Sequence, residues 1–186
     1  MGTLTDAGLT PEARLKRAKA LSSDKTVAGL DELAAGLHVS DEKLHEAIVA
    51  ALSKRNAAAA LLDRAVDVKA PVTARVDALA GVRALKPKDA AARIAPMLAD
   101  AKANNDQVRE AVAFALCTIE AAAAEAALVQ SLKSEPSAKV RYYVALALGE
   151  LKSPAAKDAV AAQLKVEKDL TVLDSLERAQ RKQTAK

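Results

Sequence analysis

The stretch Val140-Arg141-Tyr142-Tyr143-Val144-Ala145-Leu146-Ala147-Leu148-Gly149-Glu150-Leu151 decides the reading of this chain, because it has a counterpart. Placed beneath it, Val108-Arg109-Glu110-Ala111-Val112-Ala113-Phe114-Ala115-Leu116-Cys117-Thr118-Ile119 keeps the apolar positions, the Arg and the small residues in register. Ala74-Arg75-Val76-Asp77-Ala78-Leu79-Ala80-Gly81-Val82 repeats the pattern more loosely. Leu44 to Leu52 and Val172 to Ala179 carry it toward the two ends. Self-similarity at a step of some thirty residues marks a repeat architecture, and apolar residues at i, i+4 and i+8 mark helices.

A second series agrees. Leu62 and Val66, Ile94 and Leu98, Leu128 and Leu132, and Val160 and Leu164 are pairs four apart. Such spacing puts both members on one helix face. Each repeat is then a helix A, a turn and a helix B. Ser22-Ser23-Asp24, Ser40-Asp41, Ala70-Pro71, Asn104-Asn105-Asp106, Glu135-Pro136-Ser137 and Ser153-Pro154 fall between the helices, where stops, N-caps and first-turn prolines belong. Pro96 lies inside a B helix and predicts a kink or a split there.

This reading treats residues 1–186 as one domain. Its helix pairs are 11–37, 41–67, 72–102, 106–133 and 138–165, with a capping helix at 170–183. One pair cannot bury its apolar face alone, and stacking supplies the missing surface. Composition fits. The chain has 51% hydrophobic residues but only 2% aromatic, with no Trp. Alanine runs such as Ala57 to Ala60 and Ala121 to Ala124 supply the difference, and alanine is the strongest helix former.

The run Val-Arg, then Ala-Leu-Ala-Leu-Gly-Glu-Leu, then Ser-Pro-Ala-Ala resembles the short bacterial HEAT-like repeat, also found in phycobilisome lyases. The likeness covers 106–176 and, less closely, 72–105. It implies an all-α fold, a right-handed α-α superhelix of about five helix pairs. It implies little about function, since similar repeats serve scaffolds, bilin lyases, DNA glycosylases and di-iron hydroxylases. In such repeats the recurrent Arg, here Arg75, Arg109 and Arg141, with Asp106 three residues before Arg109, resembles an inter-repeat hydrogen-bond ladder. A guanidinium offers several donors in a fixed fork, which suits that role.

Enzymatic motifs are thin. His38 and His45 are the two histidines, too few for a zinc set of three or four ligands. The resemblance implies His-Glu pairs on several repeats for a di-iron hydroxylase, and His45-Glu46 is a single pair. Cys117 stands where the next repeat has Gly149, a packing position, and no His follows it to act as a base. No Gly-rich phosphate loop is present. The expectation is therefore no catalytic residue, no metal and no cofactor.

Net charge is +4 with a pI near 9.2, and acidic and basic residues interleave. Two basic clusters stand out, Arg14, Lys16, Arg17 and Lys19, and Arg178, Arg181, Lys182 and Lys186. The lone cysteine fits a reducing compartment, and neither a signal segment nor an apolar span is visible, so a cytoplasmic, non-membrane protein is expected.

The leading expectation is a non-enzymatic protein–protein scaffold holding a partner in its groove. Arg64, Arg93, Gln130 and Gln163, beside the core pairs, are the candidate contacts, with Tyr142 as an anchor. Tyr142 lies roughly 160–200° around its helix from the Val140 and Val144 face. The alternatives are nucleic-acid backbone binding through the basic clusters, and a HEAT-like lyase or repair enzyme.

Overall fold

The computed structural model describes residues 2–119 and 121–185. Lys186, the last member of the C-terminal basic cluster, lies outside the described residues. Among the described residues the chain is all-helical, with eleven α-helices and no strand. They are α1 (Pro11–Leu21), α2 (Val27–Gly36), α3 (Glu42–Lys54), α4 (Ala58–Val66), α5 (Val72–Leu85), α6 (Ala90–Ile94), α7 (Asp106–Leu116), α8 (Glu125–Ser134), α9 (Ala138–Gly149), α10 (Pro154–Leu164) and α11 (Leu170–Thr184). None of the described helices is long and apolar enough to cross a membrane.

The helix starts follow from local chemistry. Thr10, Thr26, Asp41, Asn105 and Ser153 each accept, through the side chain, the backbone N–H three residues on. Asp169 accepts from both Thr171 and Val172. These bonds satisfy donors that a helix start leaves without partners. Pro96 has the expected effect. The helix that begins at Ala90 ends at Ile94 and continues only as a 3-10 turn, Ala95–Leu98. A second 3-10 turn, Ala121–Ala124, leads into α8.

The contacts group the chain into two compact units, the first ending at Pro87 and the second starting at Lys88. In the first unit α1 lies against α3 and α3 against α5, while α2 and α4 cover α5. Leu30, Leu33, Leu44, Ile48, Leu52, Leu61, Leu62 and Leu79 fill the space between them. Leu4, outside any helix, is fully buried, and its N–H donates to Glu32 Oε1 at 3.2 Å. Arg17 closes on the same carboxylate with two bonds, at 2.8 and 2.7 Å.

In the second unit α7, α9 and α11 pack side by side, and α8 and α10 line the other layer. The repeated apolar positions Val108, Val112 and Leu116, then Val140, Val144 and Leu148, then Val172 and Leu176, are all fully buried. Identical burial at identical register is what stacked helix pairs require. The B-helix pairs are less uniform. Ile94, Leu98, Leu128, Leu132 and Val160 are buried, but Leu164, like Val66 in the first unit, is half-buried.

Candidate functional site

The recurrent arginines each close on a group at the end of a B helix. Arg109, on α7, meets Glu135, just past α8, through Nε to Oε2 at 2.8 Å and Nη2 to Oε1 at 2.9 Å. Its Nη1 donates to the Asn104 carbonyl at 2.7 Å. Arg141, on α9, meets Glu167, just past α10, with the same two distances. Its Nη1 reaches the carbonyls of Glu135 and Pro136. Glu135 is therefore held twice, by its side chain from Arg109 and by its carbonyl from Arg141. Arg75, in the first unit, donates from Nε to the Ala65 carbonyl at 3.0 Å.

The expected place of Asp106 needs correction. It is the first residue of α7, and its carboxylate accepts the Gln107 N–H at 3.2 Å. The carboxylate that closes on Arg109 is Glu135, which the three-residue spacing did not indicate. The signal was in the sequence at longer range, since Glu135 follows Arg109, and Glu167 follows Arg141, by 26 residues. Bidentate contact with Arg141 comes first among the causes that hold the Glu167 carboxyl down at about 2, with backbone N–H donors and Gln163 adding to it.

The expected contact residues scatter. Arg64 donates to Asp31 at 2.7 Å and is tied within its own unit. Gln163 donates to Glu167 at 2.9 Å and supports the carboxylate that Arg141 holds. Arg93 is half-buried on α6. Gln130 is exposed on α8, beside a cleft of about 170 Å³ that it shares with Leu98, Ser134 and Pro136. The basic clusters are partly engaged within the chain. Arg17 pairs with Glu32, Arg178 with Asp174, and Arg181 with Glu177.

Tyr142 leads elsewhere. It stands with Tyr143 at the mouth of a cleft of about 310 Å³ in the second unit, bounded by α7, α9 and the start of α11. Glu110, Lys139, Asp169 and Thr171 complete its polar lining. The two tyrosine rings meet edge to face, with centroids 5.1 Å apart and planes at 81°. Phe114 stacks, tilted, on Tyr143 at 4.9 Å. These three are all the aromatic residues of the chain. Aromatic pairs of this geometry are mutually stabilising, and a ring wall beside polar groups is common in ligand pockets. The repeat alignment gives Glu110 and Tyr142 the same repeat position on successive A helices, but it did not reveal that α7, α9 and the start of α11 bring them around one cleft.

Cys117 is not exposed as a nucleophile. Its Sγ lies 3.1 Å from the Tyr143 carbonyl and 3.3 Å from that of Ala113. Burial, with a smaller contribution from the Glu150 charge, pushes its pKa up to about 12. His38 Nε2 donates to Asp77 Oδ1 at 3.0 Å, and His45 is half-buried on α3. Among the described residues no three His, Cys, Asp or Glu side chains gather as a metal site would require.

The family model described as "HEAT repeats" matches residues 94–180. No curated protein matches the sequence. Among solved structures the chain is similar to human deoxyhypusine hydroxylase in complex with glycerol, at 20% identity and a TM-score of 0.58, over 97% of this chain and 70% of that one. This likeness corrects the expectation of a non-enzymatic scaffold. The inference rested on the fold and on missing motifs, and the same helical fold here belongs to an enzyme. Residues 94–180, just under half of the chain, match HEAT repeats, and the all-helical fold of the described residues is consistent with them.

Proposed function

We propose that this chain is a HEAT-fold enzyme acting on a small organic molecule in the cleft between α7, α9 and the start of α11. The observation that carries the reading is that both tyrosines of the chain line one cleft, Tyr143 being backed by Phe114, and that the cleft also presents Glu110 and Lys139. In a chain with 2% aromatics, such a gathering is not demanded by packing, which alanine and leucine supply elsewhere. The volume, about 310 Å³, is at the lower end of the range of small-molecule sites.

The chemistry this lining supports is proton transfer. The Glu110 carboxylate, half-buried on α7, has no hydrogen-bond partner among the described residues and is the candidate base. The Tyr142 phenol is the candidate hydrogen-bonding acid on the other wall. Asp169 is a positioning residue, since its carboxylate is spent capping α11. The Cys117 thiol, held against main-chain carbonyls, fits a reducing cytoplasm as the place of reaction.

The test works with an unidentified substrate. Purified protein is incubated with a small-molecule cell extract, and the extract is followed by mass spectrometry. Wild type should deplete at least one compound with a matching product. Glu110→Gln and Tyr142→Phe, with unchanged circular dichroism, should lose that conversion by roughly a hundredfold or more. Conversion that survives both substitutions, or no conversion by the wild type, overturns the reading.

A further inference from the structure

The same cleft carries a statement about what it binds, and it rests on the reading of the cleft as a small-molecule site. Tyr142 and Tyr143 stand nearly at right angles, 81° apart, and so form two walls of a corner. The ring faces of such a corner are negative, and their edges positive. Two carboxylates, Glu110 and Asp169, lie around the corner, against one ammonium, Lys139. Lys139 is exposed on a flexible stem, so its charge is easily turned to solvent. Asp169 is fixed by two backbone donors. The start of α11 is not open to an anion, because Asp169 already takes the Thr171 and Val172 amides.

From this geometry we infer that the corner formed by Tyr142 and Tyr143, with Glu110 and Asp169, binds an alkylammonium group of the substrate. A cation against a ring face, next to carboxylates, gains from both, and a carboxylate or phosphate at the same place meets two like charges.

Three probes of one shape separate the possibilities, namely choline, its uncharged isostere 3,3-dimethylbutan-1-ol, and the anion 3,3-dimethylbutanoate. Binding to the full chain is followed by the NMR signals of the tyrosine rings and by calorimetry. Choline should bind roughly five- to thirtyfold more tightly than the neutral isostere, and the anion should bind more weakly still. Tyr142→Leu keeps apolar bulk but removes the ring, and should abolish the preference for the cation. Glu110→Gln should reduce it severalfold. Lys139→Gln should strengthen choline binding, the opposite of its effect at an anion site. Equal binding of choline and the isostere, or preference for the anion, overturns the inference. It fails alone if conversion of an uncharged or anionic compound still depends on Glu110. The enzyme reading fails alone if choline is preferred and no extract compound is converted.

Discussion

Arg109 and Glu135 form a bidentate pair whose side chains are 6% and 3% exposed, across the turn that joins one helix pair to the next. A buried ion pair is a poor source of net stability, because both charges lose water, but it is costly to break on one side only. Its geometry here is repeated by Arg141 and Glu167. The pairs fix where each B helix ends and the next A helix starts.

Arg109→Ala should therefore destabilise the second unit by about 3–5 kcal/mol, by leaving Glu135 buried and unpaired. The double variant Arg109→Met, Glu135→Leu should recover most of the loss. Urea unfolding of the three proteins checks this. A single substitution costing under about 1 kcal/mol would show that the pair is dispensable.

The Glu167 carboxyl gives a pH signature. Its folded value, about 2, lies below that of a free glutamate, so the folded state binds its proton less readily. The stability it contributes is fully present above about pH 4.5. It is lost as pH falls from there through about 2. Melting temperature against pH should fall more steeply over this window in wild type than in Glu167→Gln, which begins less stable at neutral pH. Parallel acid limbs would refute the assignment.

Gly149 marks a close helix crossing. A Cβ placed there would lie 2.9 Å from Ala179 Cα and 3.0 Å from its Cβ, so α9 and α11 would have to separate. Alanine in a helix interior normally gains about 1 kcal/mol over glycine. Here overpacking should outweigh that gain, and Gly149→Ala should cost about 1–3 kcal/mol net. A stabilised variant in thermal unfolding would contradict the crossing.

Leu148 and Leu4 are both fully buried, one in a repeated helix position and one in the N-terminal segment. Each substitution to alanine should cost about 2–5 kcal/mol. The Leu4 result is the more informative, since no repeat pattern includes it. A loss under about half a kcal/mol would mean that the segment before α1 does not dock as described.

Half-buried Cys117 should react slowly with thiol reagents in the folded protein at pH 8, because desolvation pushes its pKa up to about 12 and little thiolate forms. In denaturant the same thiol should react at the rate of a free cysteine. Rapid labelling under native conditions would contradict the raised pKa of this half-buried thiol.

The sequence by itself determined the helices and their register. Val108, Val140 and Val172 recur at one spacing because each stacked helix must turn the same face inward, and the periodicity of a helix writes that demand along the chain. Caps and breakers are local, so Asp41, Asn105, Ser153 and Pro96 could be read where they stand. The Arg75, Arg109 and Arg141 series was legible as a repeat, but not the partners of its arginines. Glu135 lies in a turn, and only the return of the chain brings it to Arg109. The cleft was less legible still. Glu110, Tyr142 and Asp169 belong to three different helices or their caps, and no spacing along one helix relates them. Only side-by-side packing of α7, α9 and α11 puts them around one space, because convergence between elements is a property of distances in three dimensions and leaves no period in the sequence.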